Sequence, residues 1–168
     1  MLKGSDTVGI PITVPNQKTD EKLEDWILDL RTNKVLGFVV TRGGWQGGTR
    51  ILLWENVASI SKDSLVTAPC SPIIEINKII QVKKVMENPV RVIGLEVITR
   101  SGDYVGQVRD FYFDENSGTL LRLITSAPKN ANSDGDYTFV PVFEPLRITN
   151  HLIVATREMM DGIEHSPR

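Results

Sequence analysis

The chain has 168 residues, 40% hydrophobic and 24% charged, with a formal net charge of −2. Such a composition suits one globular domain of common size or two small ones. The lone cysteine, Cys70, excludes an intrachain disulfide, and no apolar run reaches the roughly 18 residues of a membrane span. Residues 1–70 carry eight basic and eight acidic side chains, and residues 89–168 carry eight and eleven, so neither half has the basic excess that binding a phosphate backbone needs.

The N-terminus "MLKGSDTVGI" lacks the apolar core of a signal peptide, and a cytoplasmic protein in a reducing compartment is expected. The next segments alternate apolar and polar residues at period two, the pattern of half-buried strands: "TVGIPITV", then "LEDWILD", the turn "LRTN", and "KVLGFVVT". "TRILLW" and "SLVTA" follow as further short strands.

Residues 68–90, "APCSPIIEINKIIQVKKVMENPV", read differently. Ser71-Pro72 is a good N-cap and first-turn pair, and Ile76, Ile79, Ile80 and Lys83 share one helical face. Asn88-Pro89 stops the pattern, so one connecting amphipathic helix is expected over 72–87.

From residue 90 the first pattern returns. "VGIPIT" (8–13) aligns with "IGLEVI" (93–98), and "LEDWILDLRTNKVLGFVV" (23–40) with "VRDFYFDENSGTLLRLIT" (108–125), at a constant offset of 85. "LLWENV" (52–57) aligns with "PVFEPL" (141–146) at 89, and "SLVTA" (64–68) with "HLIVA" (151–155) at 87. The chain reads as a tandem repeat. Two hairpin turns, "SGD" (101–103) and "ENSG" (115–118), punctuate the second copy, and "YTFVPV" and "HLIVAT" supply its later strands. Several short antiparallel strands in some 70 residues favour closure, which removes exposed edges. The tail "DGIEHSPR" reads as polar and disordered.

The stretch "IGLEVITRSGDYVGQVRDFYFDENSGTLLRLIT" resembles the PRC-barrel family, in its glycine after the first strand, its G-x-x-x-G-x-V-x-D hairpin and its aromatic strand ending in aspartate. The first copy departs from it at Glu21, which stands where Gly106 stands, and at "PNQKT", which lacks the glycine turn. The resemblance implies a mainly β fold of two small antiparallel PRC-type barrels in tandem, joined by one α-helix. The expected boundaries are a first barrel over 1–70, a helical linker over 71–89, a second barrel over 90–157 and a tail over 158–168. Members include the cytoplasmic domain of the photosynthetic reaction-centre H subunit and the C-terminal domain of the ribosome-maturation factor RimM. The resemblance therefore implies an interaction module, with a setting at photosynthetic membrane complexes and a cytoplasmic or membrane-peripheral location.

The one stretch suggestive of nucleotide chemistry is "TRGGWQGGTR" (41–50). A P-loop needs G-x-x-x-x-G-K-[ST] between a strand and a helix. Here no lysine follows, and "RILLW" is a strand, so a hairpin loop is expected. Trp45 at its tip is a candidate partner anchor, or else a lid folded over the barrel end, and Arg42, Gln46 and Arg50 are the neighbouring contact candidates.

Asp29 and Asp114 stand before turns and are expected to accept backbone N–H bonds, while Asp25 and Asp110 are expected to face outward. With only His151, His165 and Cys70, no metal spacing and no nucleophile elbow appears. No enzyme activity, cofactor or metal is expected. The expected function is a non-catalytic adaptor that binds another protein, with a homodimer also open. RNA-processing or ribosome-assembly accessory work is the alternative, and an enzyme or small-ligand carrier using a pocket between the barrels is a third. Nucleic acid is not an expected partner.

Overall fold

The computed structural model describes residues 1–41, 49–69, 73–75, 91–126, 137–149 and 152–165. Within them the chain is mainly β. The strands are β1 Leu2–Lys3, β2 Ile12–Thr13, β3 Lys22–Asp29, β4 Lys34–Thr41, β5 Arg50–Leu53, β6 Val57–Ile60, β7 Leu65–Thr67 and β8 Ile74–Glu75. In the second half they are β9 Glu96–Ile98, β10 Tyr104–Phe113, β11 Leu120–Ser126, β12 Tyr137–Pro141, β13 Arg147–Thr149, β14 Leu152–Val154 and β15 Glu164–His165. A short α-helix, α1 (Arg157–Asp161), precedes the last strand and is capped by the Thr156 hydroxyl, which accepts from the Met159 N–H.

In the second half the strand order is β13-β14-β9-β10-β11-β12-β15, with β1 laid against β10. In the first half it is β6-β7-β2 in one sheet and β3-β4-β5-β8 in another, joined by the Pro11–Lys22 bridge. The two orders therefore match strand for strand. So do the details. Gly9 N–H donates to Leu23 O at 2.7 Å and Gly94 N–H to Val108 O at 2.8 Å, each glycine at positive φ (84° and 94°). The β3–β4 ladder shifts register at Leu23/Asp25 and Ile27/Leu28, and the β10–β11 ladder shifts at Val108/Asp110 and Tyr112/Phe113. These pairs are all 85 apart.

Past the first long loop the ladders correct the alignment. Leu52 pairs with Phe38 and Val140 with Leu123, while Leu65 pairs with Ile12 and Ile153 with Val97. The offset is thus 88 for β5 and β7, rather than the 89 and 87 read from sequence. A bulge between Val57 and Ser59 disturbs the intervening stretch.

Four expectations need correction. Among the described residues none of the sheets closes into a barrel, and the end strands β6, β8, β13 and β15 are edges of two to four residues. Ile74–Glu75 lies at the start of the expected helix but is a strand paired with Ile51 and Arg50, and the rest of the helical stretch lies outside the described residues. The tail is ordered through Glu164–His165, because β15 adds to β12 and the Met159 side chain of α1 is buried. "TVGIPITV" is also less regular than its alternation suggests: a 310 turn at Ser5–Thr7 and Gly9 interrupt it.

Buried apolar side chains of both halves form one cluster, with Leu23, Phe38, Leu52 and Leu65 meeting Val97, Phe111, Phe113, Leu123 and Ile153. Its centre is aromatic. The Trp26 ring meets Phe111 edge-on at 5.1 Å, and Trp54 meets Phe113 at 6.2 Å. Around it the turns of the two halves bond to each other: Val35 N–H donates to Gly118 O at 2.9 Å and Leu120 N–H to Asn33 O at 2.8 Å. Lys34 and Thr119 form the bridge between them.

Gly118 is the tightest point, because its φ is +67° and an added Cβ would stand 2.8 Å from the Trp54 ring. Gly118→Ala is expected to cost about 3 kcal/mol, combining left-handed strain with displacement of the indole. Gly9→Ala, with φ +84° and open space around the added carbon, should cost only about 1–2 kcal/mol. Urea unfolding of the two variants measures the difference.

Candidate interaction site

Of the four residues that sequence marks for partner contact, Arg42, Trp45 and Gln46 lie outside the described residues. Arg50 is described. It opens β5 opposite Val40 of β4, so the 41–50 stretch links two neighbouring antiparallel strands. A strand, not a helix, follows it, as a hairpin loop requires and a P-loop forbids.

The Arg50 side chain is 27% exposed and bonds to the Glu21 carboxylate, whose side chain is only 5% exposed. The guanidinium also donates to Ile73 O at 3.4 Å, just before β8. Glu21 occupies the place of Gly106 in the other half, where a Cβ would run into Ser126 O at 2.1 Å. In the first half that place is taken by a residue with a side chain. A long acidic side chain fits and ties the entry of β3 to the base of the glycine-rich loop. Sequence reading noted the Glu21 exchange but had no signal for the partner, which is 29 residues away.

The four repeated aspartates do not converge as an acid–base pair. Asp29 accepts from Arg31 N–H at 3.0 Å and Asp114 from Asn116 and Ser117 N–H at 3.0 and 2.7 Å, the pre-turn role expected of them. Burial pushes the Asp29 carboxyl up, but the Arg31 side-chain and backbone bonds outweigh it and hold it below its ordinary value. Asp114 is held low chiefly by the Ser117 N–H. Asp25, half-exposed, lies 3.6 Å from Arg91. Asp110 does not face outward as its alternation suggests. It is 5% exposed and accepts from Phe111 N–H at 2.8 Å and Ser5 N–H at 3.2 Å, with Lys3 at 3.5 Å. Its cover arrives from the N-terminal β1, more than a hundred residues away in sequence, which strand alternation cannot reveal.

Among the described residues no three of His, Cys, Asp and Glu gather as metal ligands, and no helix is long and apolar enough to cross a membrane. Cys70 and His151 lie outside the described residues.

With this geometry in view, comparison with known proteins gives one result. Residues 84–156 match the PRC-barrel domain, so a PRC-barrel domain occupies the stretch that contains β9 to β14. No curated protein matches the chain.

The Glu21–Arg50 pair makes the loop base testable. Arg50→Ala leaves a nearly buried carboxylate without its guanidinium and is expected to lower stability by about 3 kcal/mol. Glu21→Gln with Arg50→Met should recover most of that loss, as read by thermal or urea unfolding.

Proposed function

We propose that the chain is a non-catalytic interaction module, built as two PRC-type units in tandem, that presents its loops to another protein. The observation that carries this reading is where the halves agree and where they differ. What recurs at the 85-residue offset is spent on internal bonding: the positive-φ glycines, the pre-turn aspartates and the paired turns. What differs is the loop after β4 against the loop after β11, "TRGGWQGGTR" against "SAPKNANSDGDYT". A rigid frame with divergent loops is the usual arrangement for recognition, since loops change freely while the frame holds them.

The glycine-rich loop is the proposed contact, with Trp45 as its anchor and Arg42 and Gln46 beside it. Arg50 is better placed to position the loop than to touch the partner, because Glu21 and Ile73 already hold its guanidinium. A setting at photosynthetic membrane complexes rests on the resemblance to PRC-barrel proteins alone. No basic stripe supports the RNA alternative.

The test is affinity capture from a native lysate with the intact chain and Trp45→Ala side by side, both checked for folding. A protein retained by the first and lost by the second is the expected result. Equal retention by both would remove the loop from the account, and retention by neither would remove the module reading.

A further inference from the structure

The two halves are not equally sealed where each meets the turn of the other. On one side Leu146 N–H donates to Leu30 O and to the Asn33 side-chain oxygen, both at 3.2 Å, while the Asn33 amide donates to Glu144 O. The chain leading into β13 is thereby fastened to the 29–33 turn. On the other side Gly118 and Glu115 stand, at the 85-residue offset, where Asn33 and Leu30 stand. Gly118 supplies no carboxamide, and the Trp54 ring lies over it. There a groove of about 170 Å³ opens between Glu115 and Asn116 of the turn and Val57–Ile60 of β6, with Trp54 in its wall.

The strand along this groove is an edge. Among the described residues β6 is the last strand of its sheet and pairs with β7 alone, and Ala58 and Ser59 are exposed. Natural edges are commonly blunted by charge or proline. β13, the matching edge, carries Arg147 and follows Pro145, whereas β6 reads "VASI" with neither device. Of the groove's lining only Glu115 is charged, and it pairs with the Met1 amine; the segments that adjoin β6 and the facing turn in sequence are acidic on balance, with Glu55, Asp63 and Asp114 against Lys62.

The geometry points to this groove as a docking site for an extended segment of a partner protein, added as a strand to the open edge of β6. Main-chain bonds to β6 give the affinity, a side chain against Trp54 fills the groove, and a lysine or arginine flanking an uncharged centre matches the acidic ends. The inference rests on the interaction-module reading and adds a second contact to the loop at 42–50.

The experiment is an amide-resolved NMR titration of the full chain with three capped peptides. They are Lys-Val-Thr-Val-Lys, the same peptide N-methylated at both valines, and Glu-Val-Thr-Val-Glu. The first is expected to shift the amides of Val57–Ile60 and Asn116. The second should bind at least about tenfold more weakly, having lost main-chain donors. The acidic peptide should also be weaker. Ala58→Pro should abolish the response while the β10 and β11 amides keep their positions. Silent β6 amides, or equal binding of the N-methylated or acidic peptide, would overturn the site. If β6 is silent while a Trp45-dependent partner is still captured, only this inference falls. If nothing is captured either, the module reading falls with it.

Discussion

Two main-chain hydrogen bonds between the tips of two hairpins organise this molecule. Val35 N–H to Gly118 O and Leu120 N–H to Asn33 O are the same bond made twice, once from each half. They require the residue at each tip to sit at positive φ, which Asn33 (52°) and Gly118 (67°) both do. Once the tips are joined, Trp26 and Phe111, which are also 85 residues apart, must meet edge-on. Phe113 and Trp54 then fill the space beside them. Each half alone would expose this aromatic seam, and a unit of some 70 residues has little burial to spare. The seam is where the halves complete each other.

From that join the asymmetries follow. Asn33 can reach across to Glu144 and Leu146, whereas Gly118 has no side chain and accepts the Trp54 ring. One approach is sealed and the other stays open beside β6. In the same way Gly106 admits the close passage of Ser126, while Glu21 in its place holds Arg50 at the root of the glycine-rich loop. A repeated frame thus carries different surfaces at matching positions.

The hairpins β3–β4 and β10–β11 were legible in the sequence because apolar residues recur along both strands and their turns carry Asn33 and Gly118, although each ladder holds two register shifts that alternation does not show. The expected closure into barrels is not seen in the described sheets, since the same alternation does not say whether the last strand finds the first. β6 and β13 escaped notice because "VASI" and "RIT" are too short to show a period. The start of the expected helix became β8 because β5 offers an unpaired edge that Ile74 and Glu75 can join, and tertiary pairing outweighs a local N-cap signal. Asp110 was misplaced for a similar reason, its cover coming from Gly4 and Ser5 at the far end of the chain. Of the candidate site, only Arg50 among the named residues lies in the described structure, and its bond to Glu21 depends on folding that brings β3 and β5 together.

The claim on which the rest stands is that the two halves open as one body. Native-state hydrogen exchange on the full chain, in increasing denaturant, measures this directly. Amides of β3–β4 and of β10–β11 are predicted to converge on one opening free energy and to leave together. Two separate plateaus, with one half exchanging while the other stays protected, would contradict the account.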